Sequence, residues 1–345
     1  MNRIRRHTAV LVALITAAVA LTSFVALAGA TSQKETLNGA GSTFVAPLVA
    51  QWTARYSGAQ VNYSAVGSGA GIAAISGRSV DFGASDAPLT PDQFGVCHGC
   101  AQIPWAFSAT SIPYNVSGVG YGLKLTGPIL ANIYLGHIKK WNDKRIRKIN
   151  PGVKPPDEDI VPIFRSDASG TSYNFTDYLS RVSKEWKNRI GRSTQPAFPT
   201  GVGARGSSGV AAKLGSTHGG ITYVDVAYAY KNSYKIAKLR NRAGKFVLPS
   251  VRSLRAVADK VTRVPKNNAI SVVNPPKSVP KGYPICTFTW VIVPLKTSKA
   301  ADLKGFIDWA VTKGQRYGLQ PGLLFLPLPK VVVKAARTTT SRLHT

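Results

Sequence analysis

The sequence predicts an α/β fold built around mainly parallel strands. Apolar segments with high β propensity alternate with amphipathic helical segments, which is the pattern of a parallel sheet covered by helices. Three of the connections from a strand to a helix are rich in Gly and Ser, at residues 39–43, 67–71 and 166–172. Ligand sites in such folds collect at strand ends, so we expect these connections to meet around one ligand, where amide donors could replace the water around an anion.

Local composition and spacing predict each element in turn. Strands are expected to end near Asn38 and to cover residues 60–66, 80–89, 105–116, 161–164, 219–224 and 287–293. Helices are expected over residues 44–56, 130–135, 250–261 and 300–313. Further helices are expected to begin at residue 72, near Pro91 and at residue 211, one is expected to end at Ile149, and one is expected to contain Tyr178. Residues 201–210 form a further Gly/Ser-rich connection, and the chain end is expected to be a frayed basic tail.

Residues 161–178 hold the strongest local candidate for a binding site. A buried strand leads through Arg165 and Asp167 into a helix whose first turn is predicted at residues 169–172. A helix start presents unpaired backbone N–H groups and a partial positive charge, and Gly170 lets a ligand approach the backbone. The planar guanidinium of Arg165 suits a tetrahedral oxyanion, and Asp167 could hold it in place. The other interpretation is an ordinary capped helix with a surface ion pair.

Residues 1–30 have the composition of an export signal. Three arginines precede an apolar run over residues 8–28, and small residues follow up to Ala30, after which we expect cleavage. The apolar run is longer than a usual signal core, so an uncleaved membrane anchor is the alternative. We therefore expect the protein outside the cytoplasm, in the periplasm, the cell wall or at the cell surface.

The net charge of the chain is unusually positive. It is +29, or +26 without the three arginines of residues 1–30. Nucleic acid would be the first partner to consider, but the Lys and Arg residues are spread from Lys34 to Arg342, and an exported protein seldom meets nucleic acid. We expect no nucleic-acid partner, and a basic surface that attracts small anions and lies against an anionic envelope.

The cysteines and histidines favour a structural role over a catalytic or metal-binding one. Cys97 and Cys100 are spaced as Cys-His-Gly-Cys, which in an exported protein predicts a local disulfide and leaves Cys286 as a buried free thiol. The five histidines are scattered, so we expect no metal site and no cofactor. The sequence also lacks a G-x-S-x-G motif, a P-loop, an H-E-x-x-H motif and an obvious pair of catalytic carboxylates. We therefore expect a binding protein without catalytic residues.

Five motifs, in this order, resemble the extracytoplasmic phosphate-binding proteins of phosphate ABC importers. They are GAGSTF at 39–44, GSG at 67–69, DFGASDAP at 81–88, IYLGHIKKW at 133–141 and RSDASGTS at 165–172. The resemblance covers residues 37 to 330 and implies a two-lobed periplasmic-binding-protein fold of type II with phosphate in the cleft between the lobes. The three cysteines and the high charge are not part of that pattern.

The resemblance also implies which residues bind phosphate. The site would comprise Thr43, Phe44, Ser68, Asp86, Arg165, Ser169, Gly170 and Thr171, with Asp167 orienting Arg165. Asp86 would accept the proton of hydrogen phosphate, Arg165 would pair with its charge, and the others would donate from hydroxyl or backbone groups. Lobe one would hold residues 31–114 and 286–345, and lobe two would hold residues 115–285.

The expected function is high-affinity binding of inorganic phosphate by a monomer that delivers it to the membrane permease of a phosphate ABC importer. The first alternative is an exported phosphatase or other phosphate-handling enzyme on the same fold, against which the missing nucleophile and metal ligands count. The second alternative is a basic adhesin for the envelope or for nucleic acid, and only the positive net charge supports it.

Overall fold

Two mixed β-sheets organise the protein in a computed structural model that describes residues 34–345. The predicted export signal lies outside the described residues. The first sheet has the strand order β10-β4-β14-β3-β1-β2. Its strands are β1 (Thr36–Gly41), β2 (Gln60–Ser64), β3 (Phe82–Ser85), β4 (Cys100–Ser111), β10 (Val224–Asp225) and β14 (Cys286–Pro294).

The second sheet has the strand order β11-β5-β9-β7-β8. Its strands are β5 (Pro113–Asn115), β7 (Val161–Arg165), β8 (Val202–Ala204), β9 (Gly220–Ile221) and β11 (Lys235–Ile236). A small third sheet joins β13 (Phe246–Val247), β12 (Lys238–Arg240) and β6 (Lys124–Leu125). The chain passes from the first sheet to the second at Ile112, between β4 and β5, and β10 returns briefly to pair with β4.

Twelve helices are described, together with the 3₁₀ helix Lys313–Leu319. They are α1 (Ala46–Thr53), α2 (Ser68–Ser76), α3 (Pro91–Val96), α4 (Gly127–Tyr134), α5 (Lys144–Ile149), α6 (Gly170–Val182), α7 (Lys184–Arg189), α8 (Gly206–Gly215), α9 (Val226–Lys231), α10 (Val251–Ala258), α11 (Ala300–Val311) and α12 (Lys330–Thr340).

Strand direction is mixed, which corrects the expectation of mainly parallel strands. The strands before the functional connections are parallel: β1 with β2 and β3, and β7 with β8 and β9. The two longest strands, β4 and β14, run antiparallel, from Cys286 opposite Ala109 to Pro294 opposite Cys100. Parallel strands need a crossover helix, whereas β14 enters the sheet from a distant part of the chain and is free to run the other way.

The chain end is a packed helix, so the prediction of a frayed tail was wrong. Val332, Ala336 and Thr340 follow one another at intervals of four residues and are buried, and α12 packs on β4. Four-residue spacing places these side chains on one helix face. This face was missed from the sequence because many basic residues lie between its buried positions.

Aromatic side chains fill the core beneath the first sheet. Trp52, Phe82, Trp105 and Phe306 contact one another with ring centroids 5.2 to 6.4 Å apart. Beneath the second sheet, the ring of Phe175 on α6 stacks on Tyr223 with centroids 4.2 Å apart. This stacking fixes α6 against the sheet and so positions its N-terminus.

The cysteine prediction is confirmed. Cys97 and Cys100 form a disulfide between α3 and β4, and Cys286 is a buried free thiol. Between residues 34 and 345, no helix combines the length and apolarity that crossing a membrane requires. Within the same range, no three His, Cys, Asp or Glu side chains are grouped to hold a metal ion.

Candidate functional site

The starts of helices α2, α6 and α8 meet at one buried point between the two sheets. Ser68, the first residue of α2, accepts a hydrogen bond at its Oγ from the backbone N–H of Gly170 at 3.1 Å. Ser207 in the first turn of α8 donates its N–H to Thr43 Oγ1 at 3.1 Å, and the two hydroxyls lie 2.8 Å apart. The predicted convergence of the Gly/Ser-rich connections is therefore present, with the 201–210 connection as a further member.

Helix α2 begins four residues earlier than the sequence indicated, at Ser68 rather than at residue 72. Gly67, with φ of +101°, turns the chain into the helix, and its N–H donates to the carbonyl of Gly41 at 2.8 Å. A side chain at Gly71 would have its Cβ 2.4 Å from the Cα of Gly41. The glycines thus serve helix packing against β1, and the helix start carries Ser68 into the site.

Asp86 is a buried carboxyl at the end of β3. Ser42 Oγ donates to its Oδ1 at 2.5 Å and Ser68 Oγ to its Oδ2 at 3.4 Å. Burial raises the pKa of Asp86 to about 7, although the hydrogen bond from Ser42, the positive charge of Arg165 and the hydrogen bond from Ser68 all act to lower it. Near neutral pH this carboxyl can therefore either accept or hold a proton.

The buried Arg165 pairs with the partly buried Asp167, so this is not the surface ion pair of the alternative interpretation. Arg165 Nε donates to Asp167 Oδ1 at 2.7 Å, and Nη2 donates to Oδ2. The N–H of Gly206 also donates to Asp167 Oδ1, at 3.0 Å. Burial acts to raise the pKa of Asp167, but the hydrogen bonds and charge of Arg165 outweigh it and hold the pKa below its ordinary value. Asp167 thus orients the guanidinium with two parallel hydrogen bonds, a geometry that lysine cannot provide.

The start of α6 is capped by its own sequence. Ser169 Oγ accepts from the N–H of Ser172 at 3.2 Å. Thr171 is buried, and its hydroxyl has no hydrogen-bond partner within the described part of the chain. A Cβ at Gly170 would lie 2.7 Å from the backbone of Asp86 and Ala87. Only glycine therefore allows α6 to approach the end of β3 so closely.

Thr43 and Phe44 lie in the loop before α1 and are buried. The carbonyl of Thr43 accepts from Tyr228 Oη at 2.8 Å, and the N–H of Phe44 donates to Ser42 Oγ at 3.1 Å. The side chain of Phe44 packs edge-on against Phe325, with centroids 6.1 Å apart. This packing anchors the loop in the core and presents its polar atoms to the site.

Several functional neighbours were not assigned from the sequence. Ser42 bonds Asp86, Ser207 bonds Thr43, and Tyr223 Oη lies 2.7 Å from Ser172 Oγ and accepts the N–H of Arg165 at 3.1 Å. Asn174 Nδ2 donates to the carbonyl of Asp86 at 2.9 Å. Ser42 and Ser207 could have been predicted because they lie in the Gly/Ser-rich connections. No feature of the sequence indicated Tyr223 or Asn174.

A second buried carboxyl, Asp225, lies near the site at the start of α9. Its oxygens accept from Ser108 Oγ at 3.1 Å and from the N–H of Ala227 at 2.9 Å. Burial raises its pKa well above the ordinary value, and the negative charge of Asp86 contributes to the rise. Asp86 and Asp225 therefore disfavour each other's ionisation.

These groups together suit a tetrahedral oxyanion that carries a proton. Arg165 offers a fixed cation, Asp86 offers an acceptor for the proton of the anion, and hydroxyl and backbone donors from both sheets surround them.

Comparison with known proteins shows the family to which the chain belongs. A family model described as a PBP superfamily domain matches residues 28–313, which defines the class of the protein. PstS phosphate-binding proteins are similar along most of the chain: that of Xylella fastidiosa (strain Temecula1) is 39% identical over 306 residues, covering 86% of this chain and 83% of the relative. That of Pasteurella multocida is 36% identical over 311 residues, covering 88% and 89%. The chain belongs to the PstS family of phosphate-binding proteins.

Solved structures show the same fold at low identity. A high-affinity periplasmic phosphate-binding protein (PfluDING) bound with phosphate matches with a TM-score of 0.68 at 22% identity, over 88% of this chain and 93% of that chain. A phosphate-binding protein from Stenotrophomonas maltophilia matches with a TM-score of 0.68 at 18% identity, over 88% and 94%. The protein therefore has the two-lobed periplasmic-binding-protein fold that the resemblance implied.

Proposed function

We propose that this protein binds inorganic phosphate with high affinity outside the cytoplasm and delivers it to the permease of an ABC importer. The observation that carries the proposal is a buried carboxyl, Asp86, in the same site as the fixed cation Arg165. A carboxylate repels an anion in a desolvated site unless the anion brings a proton to share. Hydrogen phosphate brings one, and membership of the PstS family supports that ligand.

The proposed phosphate ligands are those expected from the sequence: Thr43, Phe44, Ser68, Asp86, Arg165, Ser169, Gly170 and Thr171. To these we add Ser42, which hydrogen-bonds Asp86, and Ser207, which hydrogen-bonds Thr43. The unpartnered hydroxyl of Thr171 supports a donor role for that residue. Asp167 would orient Arg165 without touching the ligand.

We also propose that the two sheets correspond to two lobes that close on the ligand. The sequence placed the first boundary after residue 114, whereas the chain passes between the sheets at Ile112. Of the described residues, 34–112 and 286–345 would therefore belong to lobe one and 113–285 to lobe two, with β10 reaching back to pair with β4 of lobe one. The exported form would begin after Ala30 and act as a monomer.

Equilibrium binding of labelled phosphate to the purified protein, with sulfate as competitor, tests the proposal. We expect tight phosphate binding with sulfate a poor competitor. Absence of phosphate binding would refute the proposal. Turnover of a generic phosphomonoester would instead favour a phosphatase; the relatives carry the names of binding proteins and not of enzymes, and this disfavours that outcome.

A further inference from the structure

A basic groove opens beside the C-terminal half of α6. It consists of a cavity of about 830 Å³ and an adjoining cavity of about 440 Å³, which share Arg181, Arg242 and Asn274 in their walls. The first cavity is lined by Asp177, Ser180, Arg181, Lys187, Gly191, Arg192, Arg242 and Asn274. Its lining contains no apolar side chain, so it suits a strongly polar ligand.

The first cavity carries an excess of positive charge. Four of its lining residues are cations and one, Asp177, is an acid. Asp177 is buried and already pairs with Arg181 at 2.9 Å and with Arg192 at 3.4 Å. Lys187 and Arg242 have no carboxylate within ion-pair distance among residues 34–345. Such a concave surface of one sign concentrates anions.

The groove is separate from the candidate phosphate site. Gly170 begins α6 in that site, and Asp177 lies seven residues further along the same helix, a rise of about 10 Å. No residue that lines the groove belongs to the proposed phosphate ligands. Binding of phosphate at the candidate site therefore does not explain the basic groove.

We propose that the basic groove binds a linear chain of linked phosphate groups. Three of the four cations of the first cavity are arginines, whose planar forks of donors match phosphate oxygens. Ser180 adds a hydroxyl that has no hydrogen-bond partner in the described residues, and Asn274 adds an amide. The adjoining cavity continues the groove past Lys260 and Arg263, which gives a chain of repeated charges a second pair of cations.

Two other polyanions are alternatives to a chain of phosphate groups. The lining contains no aromatic side chain, so the bases of single-stranded nucleic acid would find no surface on which to stack. An acidic peptide would pair its carboxylates with the same cations and place apolar side chains on Val257, Val261 and Ile270 of the adjoining cavity, so it is the competing ligand that the test separates from polyphosphate.

The test is binding of linear inorganic polyphosphate in the presence of saturating inorganic phosphate, which keeps the candidate phosphate site occupied. The variant Lys187→Gln/Arg242→Gln removes the two unpaired cations of the first cavity. The matched control, Arg147→Gln/Lys213→Gln, removes the same two residue types at exposed positions outside the groove. We expect the groove variant to bind polyphosphate at least about tenfold more weakly, and the control to change by less than about twofold.

Equal losses in both variants would show that only the net charge matters and would overturn the proposal. So would tighter binding of oligoglutamate or single-stranded DNA than of polyphosphate at matched charge. Binding of poly(glycerol phosphate), measured in the same way, shows whether the groove prefers phosphodiester-linked chains or condensed chains such as polyphosphate. Both kinds of chain carry linked phosphate groups, so binding of either one fits the proposal. A second measurement needs no variant: polyphosphate should protect Arg242 from phenylglyoxal and leave Arg147 reactive, and equal protection of both would also overturn the assignment.

Discussion

Asp86 and Arg165 make opposite demands on the ligand. Arg165 would favour any anion, whereas Asp86, when it is ionised above its pKa of about 7, would reject an anion that cannot donate a hydrogen bond. Near neutral pH phosphate carries a proton and sulfate does not, so sulfate would leave Asp86 facing an oxygen lone pair. A site built around a polar partner can reject an analogue that lacks it by about 10⁴-fold. We therefore propose that Asp86 sets the selectivity for phosphate over sulfate.

The substitution Asp86→Asn should narrow the difference in affinity between phosphate and sulfate. An amide can donate as well as accept, so the variant no longer requires a proton on the ligand. Competition calorimetry of both anions against wild type and variant measures the change, with arsenate as the control that should still compete with phosphate. If wild-type protein bound sulfate within roughly tenfold of phosphate, about 1.4 kcal/mol, Asp86 would not be the selective group.

With both sheets around Asp86, as in the structure, the raised pKa of Asp86 predicts that the ligand-free protein loses stability as the pH rises. Separation of the sheets would expose the carboxyl and remove this effect. The folded state keeps the proton up to about pH 7, whereas the unfolded chain releases it near the ordinary value of 3.8. Between these values the unfolded state binds fewer protons, so the free energy of unfolding falls with rising pH, by about 4 kcal/mol at most. Asp225 acts in the same direction in wild type and in the Asp86→Asn variant, although the variant loses the part of the raised pKa of Asp225 that the charge of Asp86 causes.

Urea unfolding of phosphate-free wild type and of Asp86→Asn from pH 4 to pH 8 tests the predicted fall in the free energy of unfolding. The variant lacks the titrating group, so its stability relative to wild type should grow as the pH rises from 4 to 7 and level off above. A stability difference that is flat or shrinks over this range would contradict the raised pKa of the carboxyl.

The substitution Arg165→Lys should weaken phosphate binding by about 1–3 kcal/mol. A lysine keeps the charge but replaces a fork held by two hydrogen bonds to Asp167 with a single flexible ammonium. Isothermal calorimetry measures the loss, and Arg147→Lys on the exposed surface of α5 serves as the control that should bind as wild type. Unchanged affinity in Arg165→Lys would remove Arg165 from the proposed ligands.

Among the elements, the close approach of α6 to the end of β3 depends on one glycine. Gly170→Ala would place a methyl group 2.7 Å from the backbone of Asp86 and Ala87, so the helix start could no longer reach the site. We expect phosphate affinity to fall by at least about tenfold, or about 1.4 kcal/mol, the lower range of an overpacked contact.

The matched control for Gly170→Ala is the same substitution at a glycine of another helix, Gly209→Ala in α8. Its Cβ would have no neighbour closer than 3.7 Å, so it should leave phosphate binding unchanged and stabilise the protein by about 0.5–1 kcal/mol. Thermal unfolding and calorimetry on both variants separate the two effects. Equal binding by Gly170→Ala and wild type would mean that α6 need not touch β3 in the ligand-bound state.

The sequence was most informative about elements whose signals are local. The strand, connection and helix over residues 161–178 follow from apolar spacing and the cap Ser169, and the structure has β7 and α6 there. It was least informative where contacts join distant segments. Ser207 meets Thr43 across 164 residues, and β14 joins β4 antiparallel from the far end of the chain. Such pairings depend on tertiary packing, which no short window of sequence contains.

For the molecule as a whole, a set of hydrogen bonds joins elements of the first sheet to elements of the second across the site. The N–H of Gly69 donates to the carbonyl of Ala168 at 3.0 Å, and Asn174 bonds the carbonyl of Asp86. Gly170 also bonds Ser68, and Ser207 and Tyr228 bond Thr43. The chain itself crosses between the sheets, for example at Ile112 between β4 and β5. A ligand held by donors from both sheets would add to these contacts, and would therefore favour the closed arrangement by its differential affinity.

Phosphate should accordingly reduce the radius of gyration of the protein in solution. With saturating phosphate, small-angle X-ray scattering should give a value near that of a compact domain of this length, about 20 Å. Without phosphate the bridging donors lose their shared ligand, the sheets can separate about the crossings, and the radius should be measurably larger. Sulfate at the same ionic strength is the control and should cause no contraction, because Asp86 disfavours it. If the radius were the same with phosphate, with sulfate and without either anion, the proposed closure of two lobes on the ligand would have to be given up.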